Sequence, residues 1–347
     1  MIFMKSIYSD KKSKIFIGDK FELDLGNIFD KGKLKHKTVI LVTGVRSFIK
    51  SDYYKQLKNV LRQHEIVIAK HIKAKPNPDE LHTIHALSIP KHKFDFILAV
   101  GGGSAIDTGK LIKHHFNNST KLIAVYTLPG SATIVTPFAV FNNSEFKVGV
   151  VADNLIPDYS YINTKIISSL NSERKLIAIA DIFSHAVESL YSRASNSVSR
   201  TRAKNSLNIL VAHKVESLPT QELIMADIQA GLAERVGLVL FPHAAGHYLT
   251  YKFHTPHSIA TMYFLTQYLI FLSNKGVDID LRYIKYAEYL ESLFEKKKLI
   301  QKIRLSKKQI LELFNLTHKH MNFAYENAPV KIEQSEYEII LKNYVKK

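Results

Sequence analysis

Residues 94–110 read FDFILAVGGGSAIDTGK, and this stretch constrains the chain more than any other. An apolar run rich in β-formers breaks into Gly101, Gly102 and Gly103, then Ser104, and continues with helical periodicity. That order is a strand, a tight turn and a helix. Glycines let a backbone approach a pyrophosphate closely, and a helix N-terminus offers N–H groups and partial positive charge. The spacing differs from the G-x-G-x-x-G dinucleotide fingerprint, so the turn alone indicates a phosphate cradle without naming the nucleotide.

The flanking pattern predicts what surrounds that turn. Strands are expected at 37–43 (KTVILVT), 65–71, 94–100 and 121–127. Helices are expected at 51–64, 79–88 and 104–115, and a short hairpin at 137–142 and 146–151. Alternating strands and helices argue for a parallel, Rossmann-like sheet covered on both faces. Beyond about residue 166 strand signals stop and apolar residues recur at helical spacing. The expected organisation is an α/β dinucleotide-binding domain over 1–165 and an all-helical, metal-binding catalytic domain over 166–347.

Composition narrows the chemistry. The chain has no cysteine among its 347 residues, so a metal must be held by His, Asp or Glu, which suits zinc or ferrous iron. The N-terminus lacks a signal-like apolar core, and the most apolar helix candidate, 259–272, is shorter than the roughly 20 residues a membrane span needs. A cytoplasmic protein that does not enter a membrane is expected. The net charge of +17 comes from scattered lysines, with no zinc finger or RNP-like aromatic segment. Nucleic acid is therefore not the expected partner. The basic balance favours an anionic substrate or cofactor instead.

A second cluster supplies metal-binding groups. Asp181 and His185 lie four apart in DIFSHAVES, and His243 and His247 four apart in HAAGH, so each pair shares one helix face. His254 and His257 follow. One carboxylate with three neutral imidazoles would leave a divalent ion a strong Lewis acid. Periodicity leaves open which three of His243, His247, His254 and His257 would be the ligands.

The set GGG-S-x-x-D-x-x-K (Gly101 to Ser104, Asp107, Lys110) together with D-x3-H and two histidines fourteen apart resembles the iron-containing alcohol dehydrogenases. These belong with glycerol dehydrogenase and dehydroquinate synthase in one superfamily, and the likeness runs over about residues 15–275. It implies a dehydroquinate synthase-like fold. It also implies metal ligation by Asp181, His185, His243 and His257, with His247 beside the substrate to relay the hydroxyl proton. For the cofactor it implies Gly101, Gly102, Gly103, Ser104 and Asp107 under the pyrophosphate and Asn77 near the adenosine ribose. Thr127, Ser131 and Thr136 would flank the nicotinamide side, and Lys147 would approach the cofactor. Leu128, Pro129, Ala132 and Ile134 depart from the family pattern in that loop.

NAD-preferring members of that family often carry an aspartate after the first strand of this domain; here the place holds Gly44, followed by Arg46. Exchanging a carboxylate for a guanidinium favours the 2′-phosphate of NADP over NAD. The resemblance thus implies a metal-dependent, NAD(P)-linked alcohol dehydrogenase or aldehyde reductase for a small alcohol or aldehyde, assembled as a homo-oligomer such as a dimer. Other readings on the same scaffold are a glycerol or glycerol-1-phosphate dehydrogenase, a dehydroquinate-synthase-like cyclase, or a nucleotide-binding protein that has lost catalysis.

Overall fold

The computed structural model describes residues 4–10, 13–45, 47–76, 94–116, 120–143, 145–300 and 303–341. The chain divides into two compact units, one of Met1–Asn143 with Gly149–Ser169, the other of Ser144–Val148 with Leu170–Lys347. The sequence places the crossing at 165. In the structure it follows the short helix after the last strand, and the hairpin turn groups with the second unit.

The first unit runs β1 (Lys5–Ser9), β2 (Lys14–Gly18), α1 (Phe21–Gly32), β3 (Thr38–Gly44), α2 (Asp52–Gln63), β4 (Val67–Ala74), β5 (Phe96–Gly101), α3 (Gly103–His115), β6 (Lys121–Tyr126), β7 (Phe138–Asn142), β8 (Lys147–Val151), β9 (Tyr159–Asn163) and α4 (Thr164–Ser168). Seven strands form one sheet in the order β1-β2-β9-β6-β5-β3-β4, and β7 pairs with β8 separately. The sheet is parallel except at its edge, where β1 runs antiparallel to β2. The parallel, Rossmann-like sheet is present with one antiparallel edge strand, and β1, β2, α1 and β9 are elements of the 1–165 region that sequence patterning did not mark. The expected helix at 79–88 lies outside the described residues.

Strands β5 and β6 are apolar almost throughout because helices cover both sheet faces. On one face Val39, Leu41, Leu98 and Val100 pack against Leu25 and Phe29 of α1 and Leu57, Val60 and Leu61 of α2. On the other face α3 presses close, with Gly109 against Ala99 and Ile97. Strand order reverses between β3 and β5: β3 is followed outward by β4, and β5 returns on its other side. Such a switch point is where open α/β sheets bind ligands, beyond the carboxyl ends of the strands. Gly44 and Gly101 end those two strands.

The second unit contains α5 (Ser172–Tyr191), α6 (Ser197–Val211), α7 (Thr220–Gly237), α8 (Phe241–Phe253), α9 (His257–Asn274), α10 (Leu281–Lys296), α11 (Lys307–Glu326) and α12 (Tyr337–Ile340). Asn171, Asn196 and Ser306 cap α5, α6 and α11 by accepting from backbone N–H groups three residues on. Among the described residues no helix is long and apolar enough to cross a membrane.

Candidate active site

In the first unit the strand–glycine–helix stretch forms a cradle. α3 begins at Gly102 with no side chain capping it and no acidic residue in its first turn. Its N-terminus therefore keeps its affinity for an anion. The loop after β6 lies over this end: Thr127 N donates to Gly101 O at 3.0 Å. A Cβ at Gly103 would lie 2.9 Å from Ser131 Oγ, so glycine lets the loop close on this end without Ser131 shifting. Asp107 anchors the loop by accepting from Thr133 Oγ1 at 2.6 Å and more weakly from Val140 N at 3.4 Å. Lys110 is fully buried, and its Nζ donates to Thr136 O at 2.8 Å and Phe138 O at 2.6 Å. The charged residues of this motif thus hold a loop in place. Gly44 is open, with no atom within 4 Å of where its Cβ would lie. Arg46 and Asn77 lie outside the described residues.

In the second unit Asp181 and His185 come from α5, His243 and His247 from α8, and His257 from the start of α9. Gly246 lets α8 and α9 approach closely, since a Cβ there would sit 2.9 Å from Thr261 Oγ1 and 3.0 Å from its backbone N. That contact brings His257 beside the histidines of α8: its ring lies 5.2 Å from His243 and 5.1 Å from His247. Asp181, His243 and His257 each present a ligand atom, all within 4.8 Å of one another. His185 stacks on His243 at 4.5 Å and lies outside that tightest group. His254 is exposed and takes a left-handed conformation (φ 54°) that ends α8.

The donor set fits a divalent cation. Asp181 Oδ1, His243 Nε2 and His257 Nδ1 are buried atoms without a hydrogen-bond partner among the described residues. Polar atoms so placed are costly unless something accepts their lone pairs. Burial raises the Asp181 carboxyl to about 6. Burial, reinforced by Lys147, pushes His247 and His257 well below 6.5, which keeps them neutral as ligation requires.

Two carboxylates absent from the sequence reading complete the surroundings. Glu188 is 2% exposed. Its Oε1 accepts from His243 Nδ1 and Ser184 Oγ, each at 2.6 Å, and its Oε2 accepts from Leu240 N at 2.7 Å. Burial alone would raise this carboxyl, but His243 and the donors around it hold it below the usual range. Burial likewise opposes charge on His243, and Glu188 outweighs that and raises it. The arrangement keeps the His243 proton on Nδ1 and leaves the lone pair of Nε2 able to take a metal ion. The periodicity was visible: Glu188 follows Asp181 by two turns on the same face of α5. Glu234, on α7, lies 4.0 Å from His185 through Oε1. His247 Nδ1 donates to Lys147 O at 3.0 Å, leaving Nε2 as its basic nitrogen. Phe146 packs on the same imidazole.

These charges give a pH dependence. With metal removed by a chelator, the protein should lose stability as pH falls below 6.5, because His247 and His257 stay neutral folded and take up protons unfolded. Asp181 acts in the opposite sense. Its folded value, about 6 against 3.8, gives stability that is full below 3.8 and lost as pH rises through about 6. Asp181→Asn should therefore steepen the acid loss between about pH 4 and 6. Urea midpoints across that range read the slope, and equal slopes would contradict this account.

The family model for "Iron-containing alcohol dehydrogenase" matches residues 12–164. The likeness to the iron-containing alcohol dehydrogenase family is thus carried by the sequence of the first unit. The chain is 23% identical over 293 residues to the NADPH-dependent butanol dehydrogenase of Clostridium saccharobutylicum, covering 76% of this chain and 74% of that protein. It is 25% identical over 252 residues to the 1,3-propanediol dehydrogenase of Klebsiella pneumoniae, covering 65% of each. A crystal structure of an iron-containing alcohol dehydrogenase superposes with a TM-score of 0.81 at 21% identity over 99% of both chains, which establishes the family's fold for this chain.

Proposed function

We propose that this chain belongs to the iron-containing alcohol dehydrogenase family and is a metal-dependent, NAD(P)-linked alcohol dehydrogenase that also works as an aldehyde reductase. The observation that carries the reading is the convergence of Asp181, His243 and His257 with unpartnered ligand atoms, next to a neutral His247. Asp181, His185, His243 and His257 would hold ferrous iron or zinc. When bound, the ion supplies Lewis acidity toward the substrate oxygen, and the nicotinamide supplies or accepts the hydride. Glu188 fixes the tautomer of His243. The His247 ring, pinned through Nδ1 to Lys147 O, offers Nε2 to the hydroxyl proton.

Gly101, Gly102, Gly103 and Ser104 would cradle the pyrophosphate at the α3 N-terminus. Asp107 would act by holding the loop that carries Thr127, Ser131 and Thr136, and Lys147 would supply positive charge toward the cofactor. NADP is the favoured cofactor because Gly44 leaves room, and no carboxylate, beside the ribose. The NADPH dependence named for the Clostridium relative supports this. Gly44→Asp should weaken NADP binding by at least tenfold relative to NAD, since a like charge facing a phosphate costs several kcal/mol. Fluorescence titration of both reduced cofactors reads the ratio, and equal weakening of the two would remove Gly44 from this role.

The deciding experiment pairs metal analysis of the purified protein with NADPH and NADH oxidation against small aldehydes. About one iron or zinc per chain with aldehyde-dependent oxidation is the expected result. Absence of metal after reconstitution would sink the reading.

A further inference from the structure

The hairpin turn between β7 and β8 groups with the helical unit, and none of the roles above uses the way it is anchored there. Phe146, in that turn, is fully buried. Turn tips ordinarily carry small or polar residues that face water, so a buried aromatic ring at this place marks an anchor. The ring stacks on His320 of α11, with centroids 5.3 Å apart and planes 11° apart. Tyr251 and His247 of α8 flank it at 6.2 Å and 6.3 Å. Glu145 pairs with Lys319 Nζ and lies 3.6 Å from His320 Nε2. Glu145 and Lys319 are both more than half exposed, where ion pairs contribute little, so the buried stack carries the anchoring.

The residue after the anchor touches the candidate proton relay. Lys147 O accepts the Nδ1 proton of His247 at 3.0 Å. A neutral imidazole carries one proton on either ring nitrogen, and the partner of Nδ1 decides which. A two-stranded ribbon such as β7–β8 is marginal by itself, so the place of Lys147 O depends on what the turn is fastened to. We propose that the Phe146–His320 stack is a positioning device that holds Lys147 O on His247 Nδ1 and so keeps the proton off Nε2. This inference rests on the reading of His247 as the group that takes the hydroxyl proton. Loosening the turn lets the ring proton pass to Nε2, where the imidazole can no longer accept one.

The test uses full-length protein supplied with zinc and NADP and carrying nitrogen-15-labelled histidine. Long-range proton–nitrogen correlation spectra show which ring nitrogen is protonated, with His247 assigned by difference from His247→Asn. Oxidation of small primary alcohols is measured in parallel. Wild-type His247 should show a protonated Nδ1 and a bare Nε2. His320→Ala should give a mixture of tautomers and lower kcat about tenfold, with KM and NADP affinity unchanged. His320→Phe keeps the stack without the Glu145 contact and should restore both readouts. Phe146→Ala should mix the tautomers too, and adding His320→Ala to it should change them no further, because the two rings act as one unit. Phe146→Leu serves if the alanine variants fold poorly, since it fills space without a flat face to stack. A merely structural stack would lower the melting temperature and leave the tautomer and kcat as in wild type, which overturns the proposal. Failure of His320→Phe to restore the tautomer overturns it as well. The expected tautomer shift in a protein that oxidises no alcohol leaves the positioning in place and fails the dehydrogenase reading. Oxidation with an unmoved tautomer does the reverse.

Discussion

Replacing His257 with alanine should leave a protein that folds and binds NADP, holds no metal and does not turn over. The imidazole sits at the first position of α9 with Nδ1 unpartnered, so its removal breaks no hydrogen bond among the described residues. It also removes a neutral ring that burial and Lys147 disfavour charging, so acid stability should rise. Metal binding has no such slack: three of the donors lie within 4.8 Å, and losing one opens the set. Lewis-acid stabilisation is worth several kcal/mol, so turnover should fall by about a thousandfold or more. Mass spectrometry for bound metal, cofactor fluorescence and a melting curve separate the three effects. A variant that keeps its metal would remove His257 from the centre, whatever its activity.

How much of this was legible before the structure differs between the two units. The apolar runs of β3, β5 and β6 declared themselves because parallel strands buried on both faces are written as continuous β-branched and aliphatic stretches. β9 carries the polar sequence YSYIN, buried through Tyr161 and Asn163: the Tyr161 hydroxyl accepts from Asn163 Nδ2 and donates to Asp24 Oδ2. Nothing in a hydropathy pattern marks such a strand. α1 was missed for a similar reason, since Asp24 interrupts its apolar face and is paid back only by Tyr161 and the Lys20 N–H.

At the candidate site, helical spacing paired Asp181 with His185 and His243 with His247, but could not rank His257 over His254. The difference is tertiary: Gly246 lets α9 approach α8 at His257, while His254 ends its helix in a left-handed turn. Spacing also said nothing about what Asp107 and Lys110 do. The resemblance puts Asp107 under the pyrophosphate and gives Lys110 no role of its own, and both are engaged with the loop over the cradle. Their effect on a nucleotide passes through the position of that loop.

Glu188 should show the largest stability effect in the second unit. Its four hydrogen-bonding sites meet only donors: His243 Nδ1–H and Ser184 Oγ–H on one oxygen, the Leu240 and His243 N–H groups on the other. Glu188→Ala leaves these buried donors without an acceptor and should cost about 3–5 kcal/mol. Glu188→Gln keeps the volume but brings one NH2 group into a place lined by donors. Facing Leu240 N, that NH2 leaves two donors opposed. Facing His243, it donates to Nδ1 and drives the proton to Nε2, the atom needed for the metal. The amide variant should therefore lose about 10–100-fold in metal affinity even where it folds well. Competition with a calibrated chelator measures that loss, and urea unfolding of the metal-free variants measures the stability difference. Wild-type metal affinity in Glu188→Gln would mean that His243 does not depend on this carboxylate for its tautomer. A merely structural glutamate would show the opposite pattern, with stability lost and the metal affinity of the folded fraction intact.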